Sequence, residues 1–564
     1  MISAPADDAT SGAVQLWHQI DWHQARRSVR RLQNRIAQAI QAGRWHKARA
    51  LQRLLTHSFY AKALAVKRVT ENRGSKTPGV DGEIWSTPVS KAQAIGALQA
   101  KGYRPQPLRR VYIPKSNGKR RALGIPVMAD RAQQALHLLA LEPIAETLAD
   151  PCSYGFRPHR ASRDAIGHCF IALSRKDSPQ WILDADISDC FGQISHSWLD
   201  RHIPMDKRVL RQWLKAGFME QGRWWPTEQG TPQGGTASPT LANMTLDGLQ
   251  ACLRRHFGGR GSTRAARHGV QLIRYADDFL ITARSEDTLL EAKAVVGEFL
   301  AERGLGLSPE KTRIVHIRDG FDFLGWNVRK YRDTLLVRPA RKNVHAFMDQ
   351  VRGIIKTSQA MKQEALIARL NPVIRGWCNY HRNQVAKEAF VKADHAIFNA
   401  LWRWCKRRHP NKSRRWIKRR YFHRVGNRQW VFGAHFTRKD GTVGFVTLRQ
   451  CGDTPIRRHV KIQGNANPYD PRWERYFERR WQRQLQNQPR GKMMGSALRI
   501  RQAGRCGHCG ERITGAGELH HLLFRTRGGT DRLPNLVLLH PVCHQRLHHS
   551  VNRGNAPPPG GAKA

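Results

Sequence analysis

The sequence predicts a multidomain α+β protein, and three observations carry that prediction. At 564 residues the chain exceeds what one hydrophobic core organises, so roughly three to five folded units are expected. Short apolar runs of strand character, residues 272–275 and 279–281, flank the pair Asp277-Asp278, and another such run covers residues 181–187. Further along, three stripes recur at helical spacing: Val344, Phe347, Met348, Val351 and Ile354; Leu366, Leu370, Val373 and Trp377; Val391, Phe398, Leu401 and Trp404. A hydrophobic share of 40%, with 17 Trp and 19 Phe, can build packed cores, so the charge belongs to the surfaces of folded domains.

That charge is lopsided. Lys and Arg number 96 against 43 Asp and Glu, a net charge of +53 with a pI near 11.1, spread over the whole length. Each neutralised phosphate releases counterions, so the pattern points to a long polyanion held by several domains, and nucleic acid is the expected partner. A membrane-surface role is disfavoured because the cations are not gathered on one amphipathic helix. Residues 1–12 lack an apolar core of signal-peptide length, and no run reaches the ~18 apolar residues of a membrane span. The protein is expected to be soluble and intracellular. Seven cysteines are scattered, while Cys506, Cys509 and Cys543 fall close together, which reads as reduced core thiols plus a metal cluster.

Taken in order, residues 14–64 read as helix, with Val29, Leu32, Ile36 and Ile40 on an apolar face opposite a basic one. Glycine and proline then make residues 69–82 a basic loop. Two β-prone runs flank Ser116-Asn117-Gly118, a hairpin signal, and this hairpin carries Arg109, Arg110, Lys115, Lys119, Arg120 and Arg121. With Lys115 and Arg121 brought together it could clamp a triphosphate; equally, any exposed hairpin of so basic a chain would be cationic. A core helix begins near Met128. Residues 153–162 form a loop in which Tyr154, Phe156 and Arg157 suit either stacking on bases or plain packing. In the run at 181–187, alternation sets Ile182, Asp184 and Asp186 on one face and Leu183, Ala185 and Ile187 on the other. The glycine-rich loop at 230–237 leads into a helix that starts at Ser238-Pro239 and runs through Leu246 and Leu249.

Asp-Asp between strands is a common solvated turn. On a chain built to attract polyanions, however, exposed carboxylates make sense when a metal neutralises them. Asp277 and Asp278 with Asp186 from a neighbouring strand would supply the ligands that two Mg²⁺ ions need for phosphoryl transfer.

The order of basic hairpin, Asp186 strand, Gln233-Gly234 loop, Tyr275-Ala276-Asp277-Asp278, Gly304 to Thr312 and Phe323-Leu324-Gly325-Trp326 resembles the reverse-transcriptase motif series of group II intron-encoded proteins, over residues 60–335. The resemblance implies a right-hand polymerase with fingers, an antiparallel palm sheet and an α-helical thumb. It implies Asp186, Asp277 and Asp278 as catalytic metal ligands, joined by Ile187. It further implies that Lys115 and Arg121 bind the dNTP triphosphate, that Phe191 polices the sugar 2′ position, that Gln233 lines the nucleotide pocket and that Lys311 donates a proton to pyrophosphate. Gly192 departs from the family, which commonly has aspartate there.

The three helical stripes make the thumb, and residues 370–382 resemble the maturase, or X, domain of the same proteins. That resemblance implies binding of the intron RNA, which the cation-dense residues 406–415 would grip. Residues 465–471 read as a turn-rich linker, residues 473–486 as a basic helix, and the whole connector as DNA-binding.

Cys506, Cys509, His540 and Cys543 have paired ligand spacing and read as a structural Zn²⁺ knuckle. Interleaved are Glu518, His520, His521, Asn535, His544 and His548, and residues 500–550 resemble an HNH endonuclease of ββα-metal fold. This implies His520, His544 and His548 as ligands of a catalytic Mg²⁺ or other divalent ion, His521 as general base, and Asn535 as the residue that orients the loop.

The expected organisation is thus a basic helical extension (1–60), fingers and palm (61–335), thumb and X domain (336–425), DNA-binding connector (426–495), HNH module (496–550) and disordered tail (551–564). The expected activity is that of a reverse transcriptase, maturase and HNH endonuclease acting with intron RNA, target DNA and dNTPs in the bacterial cytoplasm, associated with the nucleoid when on DNA. A membrane partner is not expected, and the oligomeric state, a dimer included, stays open. The alternatives are a splicing-only maturase, which the intact carboxylates disfavour, and a host-defence reverse transcriptase, which the maturase and HNH segments disfavour.

Overall fold

The computed structural model describes residues 14–547 except 115–117, 119, 260, 438–439, 487–488, 514–516, 542 and 545–546. Lys115, His548 and the tail at 551–564 therefore lie outside the described residues. The helical stretch read from residues 14–64 is divided, with α1 (Trp22–Gln41), α2 (Trp45–His57) and α3 (Phe59–Thr70). Gly43, at φ 68°, turns the chain after α1, and extended Ser58 (φ −66°, ψ 129°) separates α2 from α3. The breaks let the three helices fold back on α4 (Pro88–Ala97) and α5 (Met128–Leu148) around Ile36, Leu55, Val66, Met128 and Leu136.

The basic hairpin forms as β1 (Leu108–Pro114) and β2 (Arg120–Ile125), with Ile113 opposite Arg121. After α6 (Ser162–Leu173) and β3 (Trp181–Asp186), the short β4 (Phe218–Glu220) and β5 (Arg223–Trp225) extend it to a sheet of order β2-β1-β4-β5. The helix beginning at Ser238 stops earlier than expected. Gly248, at φ 97°, divides it into α7 (Ser238–Leu246) and α8 (Leu249–Phe257).

A second sheet, of order β6-β7-β3-β8, is antiparallel throughout and contains β6 (Gln271–Tyr275), β7 (Asp278–Ala283) and β8 (Arg313–His316). Its central strand β3 is buried on both faces. Leu183, Ala185 and Ile187 pack with Phe279, Leu241 and Leu300, the last from α9 (Glu286–Ala301); Ile182 packs on the other side with Ile273, Leu280 and Trp326. Sheet β11-β10-β9 follows: β9 (Phe321–Phe323), β10 (Trp326–Tyr331) and β11 (Thr334–Pro339).

The three predicted stripes lie on α10 (Arg341–Thr357), α11 (Gln363–His381) and α12 (Lys387–Arg408), which share one core. Val391 is the exception. It is exposed, and Phe390, Ala393 and Ile397 carry the buried face of α12 instead. A three-stranded sheet of β12 (Phe422–Val425), β13 (Arg428–Thr437) and β14 (Val443–Thr447) sets Phe432 and Ala434 against this helical core. The sequence reading did not foresee it, although Asp440-Gly441 before β14 is a readable hairpin signal. Residues 465–471 are likewise no free linker. Asn467 Nδ2 donates to Thr147 Oγ1 at 3.0 Å, Tyr469 Oη to Glu142 at 2.6 Å and Gln41 Nε2 to Asp470 at 3.0 Å, which straps the segment to α1 and α5.

The C-terminal module comprises α13 (Glu474–Gln486), β15 (Glu518–His521) and β16 (Leu536–Leu539), followed by helical residues. Trp481, Leu498, Ile513, Leu536 and Leu538 form its core. Among the described residues no helix is long and apolar enough to cross a membrane.

Candidate active sites

Register assembles the first site. The β3–β7 ladder sets Asp186 opposite Asp278, and the β6–β7 ladder closes Tyr275 on Asp278, leaving Ala276 and Asp277 as a two-residue turn. Ala276 adopts φ 60°, and Gly155 backs the turn so closely that a Cβ there would meet Ala276 N at 2.4 Å. Beneath it lies Arg274, wholly buried. Its guanidinium pairs with Asp247, reaches Asn243 Oδ1 at 3.3 Å and donates to Ala276 O at 3.4 Å. Nothing in the periodicity of β6 marks this arginine as structural, because an arginine in a half-buried strand ordinarily faces water.

Lys311 Nζ pairs with Asp186 Oδ2, and Ser308 N donates to Asp186 O at 2.8 Å, so the segment after α9 is anchored at the carboxylates. Ile187 buries its side chain in the core, so its carbonyl is the donor it can offer. Burial, then Asp184, Asp186 and Asp277, push the Asp278 carboxyl up to about 7; burial and Asp186 also raise Asp277. Half-buried carboxylates that repel one another in this way fit a hard divalent cation.

The rim is a hydrogen-bonded chain. Arg121 Nε donates to Gln233 Oε1 at 2.9 Å, Gln233 Nε2 donates to Asp189 Oδ1 at 3.3 Å, and Gly124 N donates to Gln233 O at 2.8 Å. The basic hairpin and the glycine loop are thereby joined. Gly230, at φ 82°, lies where a Cβ would stand 2.6 Å from Phe191 O, so only glycine lets the loop pass. Phe191 is nearly buried and meets Phe156 edge-on at 6.3 Å. Arg157 is not available for stacking. It is buried in a bidentate pair with Glu146 at 2.7 and 2.9 Å, so for this residue the packing alternative holds.

At the second site, the Cys506, Cys509 and Cys543 thiols and a His540 ring nitrogen lie within 4.8 Å of one another. His540 Nε2–H can donate to Arg512 O at 3.1 Å, which leaves Nδ1 facing Cys509 Sγ at 3.3 Å. Against burial, which raises it, the backbone N–H groups of Cys509, His540 and His508 bring the Cys506 thiol down to about 7. Three thiols and an imidazole form a group suited to a soft or borderline metal.

A separate group gathers His520, His544 and Glu478, again within 4.8 Å. His544 Nδ1 faces Glu518 at 2.7 Å, and the His520 and His544 rings are 4.9 Å apart. His521 is fully buried, with Nδ1 2.6 Å from Glu478 Oε2 and Nε2 3.1 Å from Asp531 Oδ1. Burial lowers its pKa, but Asp531 and Glu478 outweigh that and raise it. Asn535 Oδ1 accepts from Leu523 N, and its Nδ2 donates to Leu523 O and Thr530 O, each at 2.9 Å, which fixes the loop that carries Asp531. Glu478 was missed by sequence reading. On α13 it lies outside the histidine and cysteine cluster, and a glutamate in a basic helix carries no metal signal of its own.

On the helical domain, α10 and α12 border a groove of about 230 Å³ lined by Arg352, Lys356, Arg403, Arg407 and Arg408 around Trp404. Cations over an aromatic floor suit a phosphate backbone.

Four families match successive parts of the chain: the N-terminal domain of reverse transcriptase over residues 17–98; reverse transcriptase (RNA-dependent DNA polymerase) over 113–328; the group II intron, maturase-specific domain over 344–422; and HNH endonuclease over 506–550. Among curated relatives, Protein YkfC of Escherichia coli is 34% identical over 319 residues, 50% of this chain and 83% of that protein. Group II intron-encoded protein LtrA of Lactococcus lactis subsp. cremoris is 26% identical over 363 residues, 53% of this chain and 60% of LtrA. Maturase-like protein 1 of Euglena gracilis is 23% identical over 380 residues, 65% of this chain and 78% of that protein.

Proposed function

The chain belongs to the group II intron-encoded proteins, reverse transcriptases and maturases with a C-terminal HNH endonuclease, and on that premise we propose that it copies its intron into DNA from a primer end cut by its own nuclease. The observation that carries the polymerase half is the register of Asp186 against Asp278 with Asp277 on the adjoining turn. These carboxylates, with the Ile187 carbonyl, would hold Mg²⁺. When bound, Mg²⁺ neutralises charge on the transferring phosphoryl group.

The protein's own groups do the positioning. The basic hairpin, through Lys115 and Arg121, holds the triphosphate over the palm sheet β6-β7-β3-β8. Gln233 closes the pocket beside the base pair, and Phe191 presses on the sugar where a 2′-hydroxyl would stand. Lys311, on the exposed side of Asp186, hands a proton to the departing pyrophosphate. The thumb and X domain (336–425) grip folded intron RNA along the α10–α12 groove, and the connector (426–495) meets target DNA. In the HNH module Cys506, Cys509, His540 and Cys543 would hold a structural Zn²⁺, and His520 and His544, with His548, would hold a divalent ion that polarises the scissile phosphate; His521 takes the proton of the attacking water. Such a protein works in the cytoplasm of a bacterium, on the nucleoid when it meets DNA.

Primer extension on an RNA template tests the reading. Wild type should incorporate dNTPs in a Mg²⁺-dependent manner and Asp277→Ala should not; an Asp277→Ala variant as active as wild type overturns it. Intron RNA should be recovered from the purified protein, and its absence would favour the host-defence alternative.

A further inference from the structure

Helix α13 precedes the segment that matches the HNH family, yet three of its side chains lie on the nuclease histidines. The helix has two working faces. Phe477 and Arg480 face the polymerase body: Phe477 meets His159 at 5.1 Å, and Arg480 donates to Asp164 at 2.8 Å and to Val460 O at 2.6 Å. Glu478, Trp481 and Gln482, offset by the helical period, face the nuclease. Trp481 packs on His521 at 4.2 Å, and Gln482 covers the free edge of β15 by donating to Leu519 O.

Glu478 is the chemically loaded one. Its side chain is 2% exposed, and Oε2 lies 2.6 Å from His521 Nδ1. The other oxygen, Oε1, is buried and has no hydrogen-bond partner among the described residues. A carboxylate oxygen in that state is costly unless a donor or a cation meets it, and the neighbours that approach it are imidazoles that can hold a cation. Glu478 also lies with His520 and His544 in a set whose ligand atoms are all within 4.8 Å. Neighbouring residues of a strand point to opposite faces, so no group within β15 can serve both His520 and His521; a carboxylate laid across its free edge can.

We propose that Glu478 is a positioning residue of the endonuclease centre, orienting His521 through one oxygen and completing, with His520 and His544, the ligand set of a divalent cation through the other. This rests on the nuclease reading given above. The buried Glu478 accepts the Nδ1–H of His521, so the proton the ring exchanges is the one on Nε2, which in this structure points at Asp531 Oδ1, 3.1 Å away. The Asp531 side chain is 37% exposed, so it can turn to solvent and leave the Nε2 lone pair facing water and a phosphodiester. His544 is oriented in the same manner, with Nδ1 on Glu518 at 2.7 Å and Nε2 toward the Gln482 amide at 3.1 Å, a contact that an ion bound to Nε2 would replace. A set that mixes imidazoles with one carboxylate selects Mn²⁺, Ni²⁺ or Zn²⁺ more readily than the all-oxygen polymerase site, which suits Mg²⁺. Since α13 is also held by the polymerase body, the nuclease is complete only when docked there.

The test uses the full chain. In an Asp186→Asn, Asp277→Asn background, which silences the polymerase site, Mn²⁺ binding is measured by titration calorimetry and by the electron-paramagnetic signal of free Mn²⁺. Glu478→Gln should weaken the remaining Mn²⁺ site by about 10–100-fold, and Glu478→Asp should recover part of it. In the otherwise wild-type chain Glu478→Gln should lower kcat for DNA nicking at least about tenfold with KM for DNA unchanged. Extension of a pre-nicked primer should keep its wild-type rate, which reports an intact fold. Unchanged Mn²⁺ affinity, or nicking faster than wild type, overturns the proposal; the second result would make Glu478 a plug over the centre. If His544→Ala loses Mn²⁺ and Glu478→Gln does not, the nuclease reading stands and the role of Glu478 falls. If neither variant changes Mn²⁺ binding, the nuclease metal centre itself is misassigned.

Discussion

Asp186 and Asp278 face one another across the β3–β7 ladder, and Lys311 pairs with the first of them. Two carboxylates in register repel, and the burial that raises Asp278 to about 7 adds to the cost of ionising it without a metal. The folded-state pKa lies above the unfolded value of 3.8, so the favourable protonated state is fully present below pH 3.8 and lost as pH rises through about 7. Asp278→Asn should therefore raise the melting temperature of metal-free protein at pH 8 by roughly 2–6 °C while abolishing primer extension. Calorimetry in chelator checks this, and a lower melting temperature would contradict it.

Lys311 is exposed and, among the described residues, its ion pair is with Asp186. Lys311→Met should cut the rate of nucleotide addition about 10²–10⁴-fold while leaving RNA–primer binding near wild type. Single-turnover extension and a filter-binding assay separate the two.

The pair Arg157–Glu146 is buried on both sides, 4% exposed each. Glu146→Ala should destabilise the chain by about 3–5 kcal/mol, because it strands a buried guanidinium. Chemical denaturation measures this, and a loss below ~1 kcal/mol would show that water reaches Arg157.

Burial pushes His137 and His381 down to about 4, and each has one ring nitrogen buried with no partner among the described residues. Their folded pKa lies below the unfolded 6.5, so the stability they lend is present above pH 6.5 and lost as pH falls from there toward 4. Relative to wild type, His137→Gln should therefore lose less stability as pH falls from 7 to 4.5, by up to about 1.4 kcal/mol per pH unit, and denaturant midpoints of the two proteins at pH 7, 5.5 and 4.5 measure the difference.

Cys506, Cys509, His540 and Cys543 stand at the edge of the core formed by Ile513, Leu536 and Leu538. Cys509→Ala or chelation of zinc should abolish nicking and expose the 506–547 region to protease, with primer extension retained. Loss of extension in parallel would mean that this module supports the polymerase fold.

What the sequence determined by itself was whatever is local or carried by an ordered series of motifs. The Asp-Asp hairpin, the alternation in β3, the three thumb stripes and the Cys-His spacing all follow from backbone period and ligand chemistry, which are written in neighbouring residues. Even there, glycines decided the details, since Gly43 and Gly248 broke helices that the apolar pattern ran through. Only the tertiary structure decided how distant charges pair. Arg274 under the Ala276-Asp277 turn, Arg157 inside a loop that suits stacking and packing alike, the strap at 465–471 and Glu478 on His521 are fixed by partners 11 to 429 residues away. A single charged residue has the same local signature whether it faces water, a buried counter-charge or a metal. The free energy that separates those fates comes from desolvation and from the partner, and neither exists until the chain has folded.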